Sequence, residues 1–155
     1  MTYSGQGLPI IKENEIIYSK DNKIYLFNRL TNKSEYLFDG EVPFNYADGE
    51  IFYVKNGKIM KNKNGKEIIK YEFRKNMKLG GYPVKINDDL FLAVELKWTE
   101  DKFNTYYGEL KMMDSKNRKE FDMYKLYYKK LDEFPFLKND TFMLVDKSLL
   151  KEYLE

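Results

Sequence analysis

Pro43-Phe-Asn-Tyr-Ala-Asp-Gly-Glu-Ile-Phe-Tyr-Val-Lys-Asn-Gly-Lys-Ile-Met-Lys-Asn-Lys-Asn-Gly-Lys-Glu-Ile-Ile-Lys-Tyr-Glu-Phe73 is the stretch that decides the fold. Three pairs divide it: Asp48-Gly49, Asn56-Gly57 and Asn64-Gly65. Such pairs are the strongest short-range hairpin signal. A type I′ turn needs positive φ at both central residues, and Asn, Asp and Gly tolerate it. Between the pairs lie Phe44-Asn-Tyr46, Glu50 to Val54, Lys58 to Lys61 and Glu67 to Phe73. The stretch therefore predicts four short antiparallel strands joined by tight turns.

Its opening proline recurs. All four prolines begin a similar phrase: Pro9 to Asn14, Pro43 to Asp48, Pro83 to Asp88 and Pro135 to Asp140. Each has an Asn or Asp five residues on, followed by an apolar run: Ile16-Ile17-Tyr18, Ile51 to Val54, Leu90-Phe91-Leu92 and Phe142 to Val145. The phrases are 34, 40 and 52 residues apart. Repeats of this size built from short strands point to propeller-type sheets.

The neighbouring units follow the same plan. The first reads as Ile10 to Lys12, Glu15 to Ser19, Lys23 to Phe27 and Ser34 to Phe38. The third has the long run Leu90 to Trp98, answered by Tyr106 to Met113 across Thr99 to Asn104. Its last segment, Glu120 to Tyr128, reads as strand or helix. The fourth unit is short: Phe136-Leu137, Thr141 to Val145, then Leu149 to Leu154 as strand or helix. The expectation is one domain over 1–155, with units of about 9–42, 43–82, 83–134 and 135–155. The fold class is all-β and antiparallel: three four-stranded units plus one incomplete unit, a partial or half propeller. The chain resembles a β-propeller in repeat length, strands per repeat and hairpin chemistry. It carries neither a Trp-Asp signature nor a Kelch double glycine. An open arc of blades leaves end faces that need a polar cap or a partner.

Composition narrows the chemistry. The chain has 155 residues and a net charge of +2. Aromatic residues make up 17%, a supply of flat faces suited to sheets. Only Arg29, Arg74 and Arg118 are arginines, which argues against nucleic acid as a partner. With no Cys and no His, disulfides, thiol nucleophiles, Cys/His zinc sites and a Ser-His-Asp triad are excluded. Ser4, Ser19, Ser34, Ser115 and Ser148 sit in no nucleophile elbow. The acidic pairs Asp88-Asp89, Glu100-Asp101 and Asp132-Glu133 lie at expected turns and read as solvated. From these absences the sequence predicts no enzyme, no catalytic residue, no metal and no cofactor. The start lacks a basic region followed by an apolar one, and no run is long enough to span a membrane, so the expected location is cytoplasmic with no membrane partner.

The third unit's hairpin is the most distinctive local feature. It carries the single Trp, Trp98, with Phe103, Tyr106 and Tyr107 nearby and Glu100 and Asp101 at its tip. Aromatic anchors bordered by charge are the usual hot-spot arrangement, so these six residues are the expected partner-binding set. The expected function is protein binding without catalysis. A small Lys- and Asn-rich partial propeller resembles bacterial immunity proteins, which neutralise a toxin delivered by contact-dependent inhibition. That resemblance implies a toxin domain as partner. Such proteins share no motif, so it assigns no residues. The alternatives are a self-assembling half-propeller, with a homodimer as its product, and a carbohydrate-binding repeat protein.

Overall fold

The computed structural model describes residues 8–98 and 106–123. Its strands form three four-stranded antiparallel sheets, each in simple sequence order. The first sheet holds β1 (Ile10–Lys12), β2 (Glu15–Lys20), β3 (Lys23–Asn28) and β4 (Lys33–Asp39). The second holds β5 (Glu41–Ala47), β6 (Glu50–Lys55), β7 (Lys58–Lys63) and β8 (Lys66–Glu72). The third holds β9 (Val84–Lys85), β10 (Leu90–Trp98), β11 (Tyr106–Asp114) and β12 (Lys119–Asp122). This is the all-β, antiparallel, propeller-like class the sequence predicts. The fourth unit, 135–155, and the ambiguous stretch beyond Met123 lie outside the described residues.

The proline phrases sit where a residue without an N–H is tolerated. Pro9 and Pro83 stand directly before β1 and β9, and Pro43 lies inside β5. Each of these strands is the edge of its sheet. Proline is confined to strand starts, edges and bulges because it cannot donate to a ladder. β5 meets that rule with an irregularity: its register to β6 shifts between Glu41 and Asn45, and Val42 takes φ of 32°. Asn14, Asp48 and Asp88 then fall in the turns leading to the second strands.

The Asx-Gly pairs form as expected. Asn56 and Gly57 have φ of 50° and 71°, and Asn64 and Gly65 have 52° and 80°. Nothing lies within 4 Å of a Cβ built on Gly57, so only its backbone conformation constrains that position. Gly57→Val should therefore destabilise the protein by about 1 kcal/mol or more, through strain at positive φ alone. A thermal melt equal to wild type would show that the turn is assigned wrongly.

Packing explains how sheets become an arc. Successive side chains on a strand point to opposite faces. In β6, Ile51 and Tyr53 point one way and join Ile17 and Ile24 of the first sheet and Met60 of β7. Phe52 and Val54 point the other way and join Phe91, Ala93 and Met113 of the third sheet. The second sheet is thus buried on both faces, and an uninterrupted apolar run at Ile51–Val54 is what such a strand requires. Rings reinforce both seams. Phe38 and Tyr53 lie 4.7 Å apart across the first, and Phe52 and Phe91 lie 5.7 Å apart across the second. Gly40, between the first two sheets, has no room for a side chain. A Cβ there would meet the Tyr53 ring at 2.6 Å and Ile24 at 2.9 Å.

Candidate functional site

The third sheet differs from the others in the length of its central hairpin. β10 and β11 have nine residues each, whereas β2, β3, β6 and β7 have six. Their ladder runs from Leu90 opposite Asp114 to Trp98 opposite Tyr106. The flanking strands do not follow it outward. β9 pairs only with Leu92 and Phe91, and β12 only with Lys111 to Asp114. The far half of the hairpin, Val94–Trp98 with Tyr106–Leu110, extends past the sheet as a two-stranded ribbon.

The connector after β8 anchors one edge of that ribbon. Leu79 bridges Glu95, the Gly80 N–H donates to the Val94 carbonyl at 2.8 Å, and the Leu96 N–H donates to the Lys78 carbonyl at 2.7 Å. Two glycines allow the close approach. A Cβ on Gly80 would meet Leu96 at 2.8 Å, and one on Gly108 would meet Val94 at 2.7 Å.

Charge fixes the ribbon's root. The Arg74 guanidinium donates to Glu95 at 2.5 Å and to both Glu120 carboxylate oxygens at 3.0 Å. Lys97 also pairs with Glu95, at 3.2 Å. The Glu95 side chain is only 4% exposed. Burial pushes its carboxyl up, but the Arg74 and Lys97 hydrogen bonds outweigh this and hold it below the ordinary value. Arg74 is raised in turn, first by Glu120 and then by Glu95.

A second charged cluster spans the seam between the second and third sheets. Lys61 bridges Glu50 and Asp88, both at 3.0 Å. Lys63 pairs with Glu50 at 3.0 Å, and Lys85 with Asp88 at 3.1 Å. The Lys85 and Lys61 ammoniums lie 4.6 Å and 5.6 Å from the centre of the Phe52 ring, inside cation–π range. Hydrogen bonds from Lys63 and Lys61 hold Glu50 below the usual carboxylate range, and those from Lys61 and Lys85 do the same for Asp88. These carboxylates stay ionised at neutral pH and join two sheets; neither is poised as a general acid.

The expected binding residues divide as follows. Trp98 and Tyr106 are the last pair of the ladder, and Tyr107 stands opposite Lys97. Glu100, Asp101 and Phe103 lie outside the described residues. Sequence reasoning missed Arg74, Glu95 and Lys61. One signal was present: Glu95 interrupts the apolar run Leu90 to Trp98, and a carboxylate in a buried strand requires a cation.

No family model matches the chain, and no curated protein matches it. Among solved structures the fold is similar to oligogalacturonate lyase from Vibrio parahaemolyticus. The TM-score is 0.50 and the identity 18%, over 70% of this chain and 36% of that one. The chain thus spans about a third of that neighbour's length. At this identity the likeness shows a propeller-type fold. It also corrects one expectation. The absence of Cys, His and a serine elbow predicted that the chain is not an enzyme, yet the neighbour that shares its architecture is a lyase. Missing residue types exclude particular chemistries and leave others open, so that expectation does not stand. No helix among the described residues is long and apolar enough to cross a membrane.

Proposed function

We propose that this chain is a protein-binding module that presents the β10–β11 hairpin to its partner. One observation carries the reading: the hairpin runs past both flanking strands of its own sheet. A ribbon that contributes little to its sheet but is pinned at the root by Arg74 and Glu95 suits presentation. Its end brings Trp98 opposite Tyr106, and these residue types dominate binding hot spots because they bury large area at small entropy cost. The narrower form of the proposal is a bacterial toxin domain as partner, bound by occlusion. A near-neutral chain fits occlusion better than mimicry of a phosphate backbone.

The test is the double variant Glu100→Lys, Asp101→Lys in the full chain. Charges at a hairpin tip carry little stability, so the melt should stay within about 0.5 kcal/mol of wild type. Partner capture from the native host, and protection of cells that express a toxin domain from the same locus, should both be lost. Wild-type capture and protection in this variant would move the interface away from the tip.

A second reading, carbohydrate recognition, is favoured by the oligogalacturonate lyase likeness. Titration of the chain with oligogalacturonate separates the two. Saturable binding, or release of unsaturated product, that survives the tip variant would favour the sugar.

A further inference from the structure

We propose that the outer face of the first sheet is a homodimer interface, packed against the same face of a second copy. The face is defined by register. Ile17 and Ile24 have no exposed surface and point into the seam with the second sheet. Their neighbours along β2 and β3 therefore point outward in three rows. Ile11, Ile16, Phe27 and Ser34 form an apolar row. Tyr18, Tyr25 and Tyr36 form an aromatic row, and Lys20, Lys23 and Asp39 a charged one. Ile11 is 63% exposed and Tyr36 50% exposed. Ile16, Tyr18, Tyr25 and Phe27 are partly exposed. The corresponding aliphatic and aromatic faces of the second sheet are buried against neighbours.

The rings decide what kind of occupant fits. Tyr18 and Tyr25 stack at 5.3 Å and 15°, Tyr25 meets Tyr36 edge-on at 6.0 Å, and Lys23 sits over Tyr36 at 5.9 Å. The ring faces are turned to each other and to Lys23, while stacking of a base needs a free face. Such a surface suits another sheet, laid face to face as in a sandwich.

The charged row selects a second copy. Lys20 lies on β2, Lys23 on β3 and Asp39 on β4. A two-fold axis parallel to β3 sets β2 of one protomer against β4 of the other. Lys20 then meets Asp39 of the partner subunit, and the symmetry makes the pair twice. Tyr25 packs on its own symmetry mate, and Tyr18 packs on Tyr36 of the partner subunit. This surface is independent of the hairpin, so it stands or falls apart from the proposed function.

The experiment is sedimentation of the full chain over a wide concentration range, with folding followed by circular dichroism. Wild type should give a monomer–dimer equilibrium. Tyr25→Lys should raise the dissociation constant about a hundredfold or more by burying charge at the centre. Lys20→Asp and Asp39→Lys should each weaken the dimer about tenfold, and the two together should restore it. Three results would each overturn the proposal: a monomer at every concentration, a dimer indifferent to Tyr25→Lys, or a folded double variant no tighter than the single ones.

Discussion

Phe52→Ala should lower stability by about 3–5 kcal/mol, a large share of what a domain this size possesses. Phe52 has no exposed surface. It meets Phe91 of the third sheet at 5.7 Å and Phe44 of its own sheet at 6.3 Å. Those rings, with Val54, Ile59 and Met113, make the larger of the two seams. Truncation removes the transfer energy of the ring and opens a cavity that two facing sheets cannot easily close. It also strips the cation–π contact from Lys61 and Lys85 above the ring. Phe52→Leu keeps most of the volume and should cost roughly 1–2 kcal/mol. Leu30→Ala, at a residue 76% exposed, should stay within about 0.5 kcal/mol of wild type. Urea unfolding followed by circular dichroism measures all three. Equal midpoints for Phe52→Ala and Leu30→Ala would mean that the second and third sheets do not pack as described.

The second large effect depends on pH. Glu95→Ala should cost about 2 kcal/mol at neutral pH. That is less than a fully buried pair is worth, because Arg74 is half exposed and keeps Glu120. The ordinary carboxyl value for this residue is 4.5, and Glu95 is held below it in the folded protein. Its contribution is therefore fully present above that value and disappears as pH falls through the lower, folded one. Arg74, Lys97, Lys111 and Glu120 surround the group, and none of the cations loses its proton in that range. Wild type should lose stability steeply from pH 4.5 downward, while Glu95→Gln should start lower and fall more gently. Parallel curves for the two proteins would assign the acid sensitivity to other carboxylates.

The fold was legible because its signals are local. Asn56-Gly57 and Asn64-Gly65 specify turns by backbone chemistry alone, and they form whatever surrounds them. The run Ile51–Val54 announces a strand covered on both sides, and its residues divide between the two seams. Where tertiary contact decides, the sequence was silent. β9 is only two residues long, Val84–Lys85, and exists because β10 offers it a ladder. The irregularity at Val42 comes from fitting Pro43 into an edge strand, and nothing in the residue Val42 foretells φ of 32°. The same limit applies to the site. The hairpin's length was readable from Leu90 to Trp98 and Tyr106 to Met113. Its clamp was not, since Arg74 and Glu120 stand 46 positions apart and meet only when the sheets assemble.

Hydrogen exchange with and without the partner recovered by co-purification tests the binding surface most directly. Amides of residues 97–107 should slow at least about tenfold on binding, as expected for a segment that becomes a buried hot spot. Those of β3 and β4 should keep their free-protein rates. Unchanged exchange at 97–107, with new protection confined to another sheet, would contradict the hairpin as the contact surface.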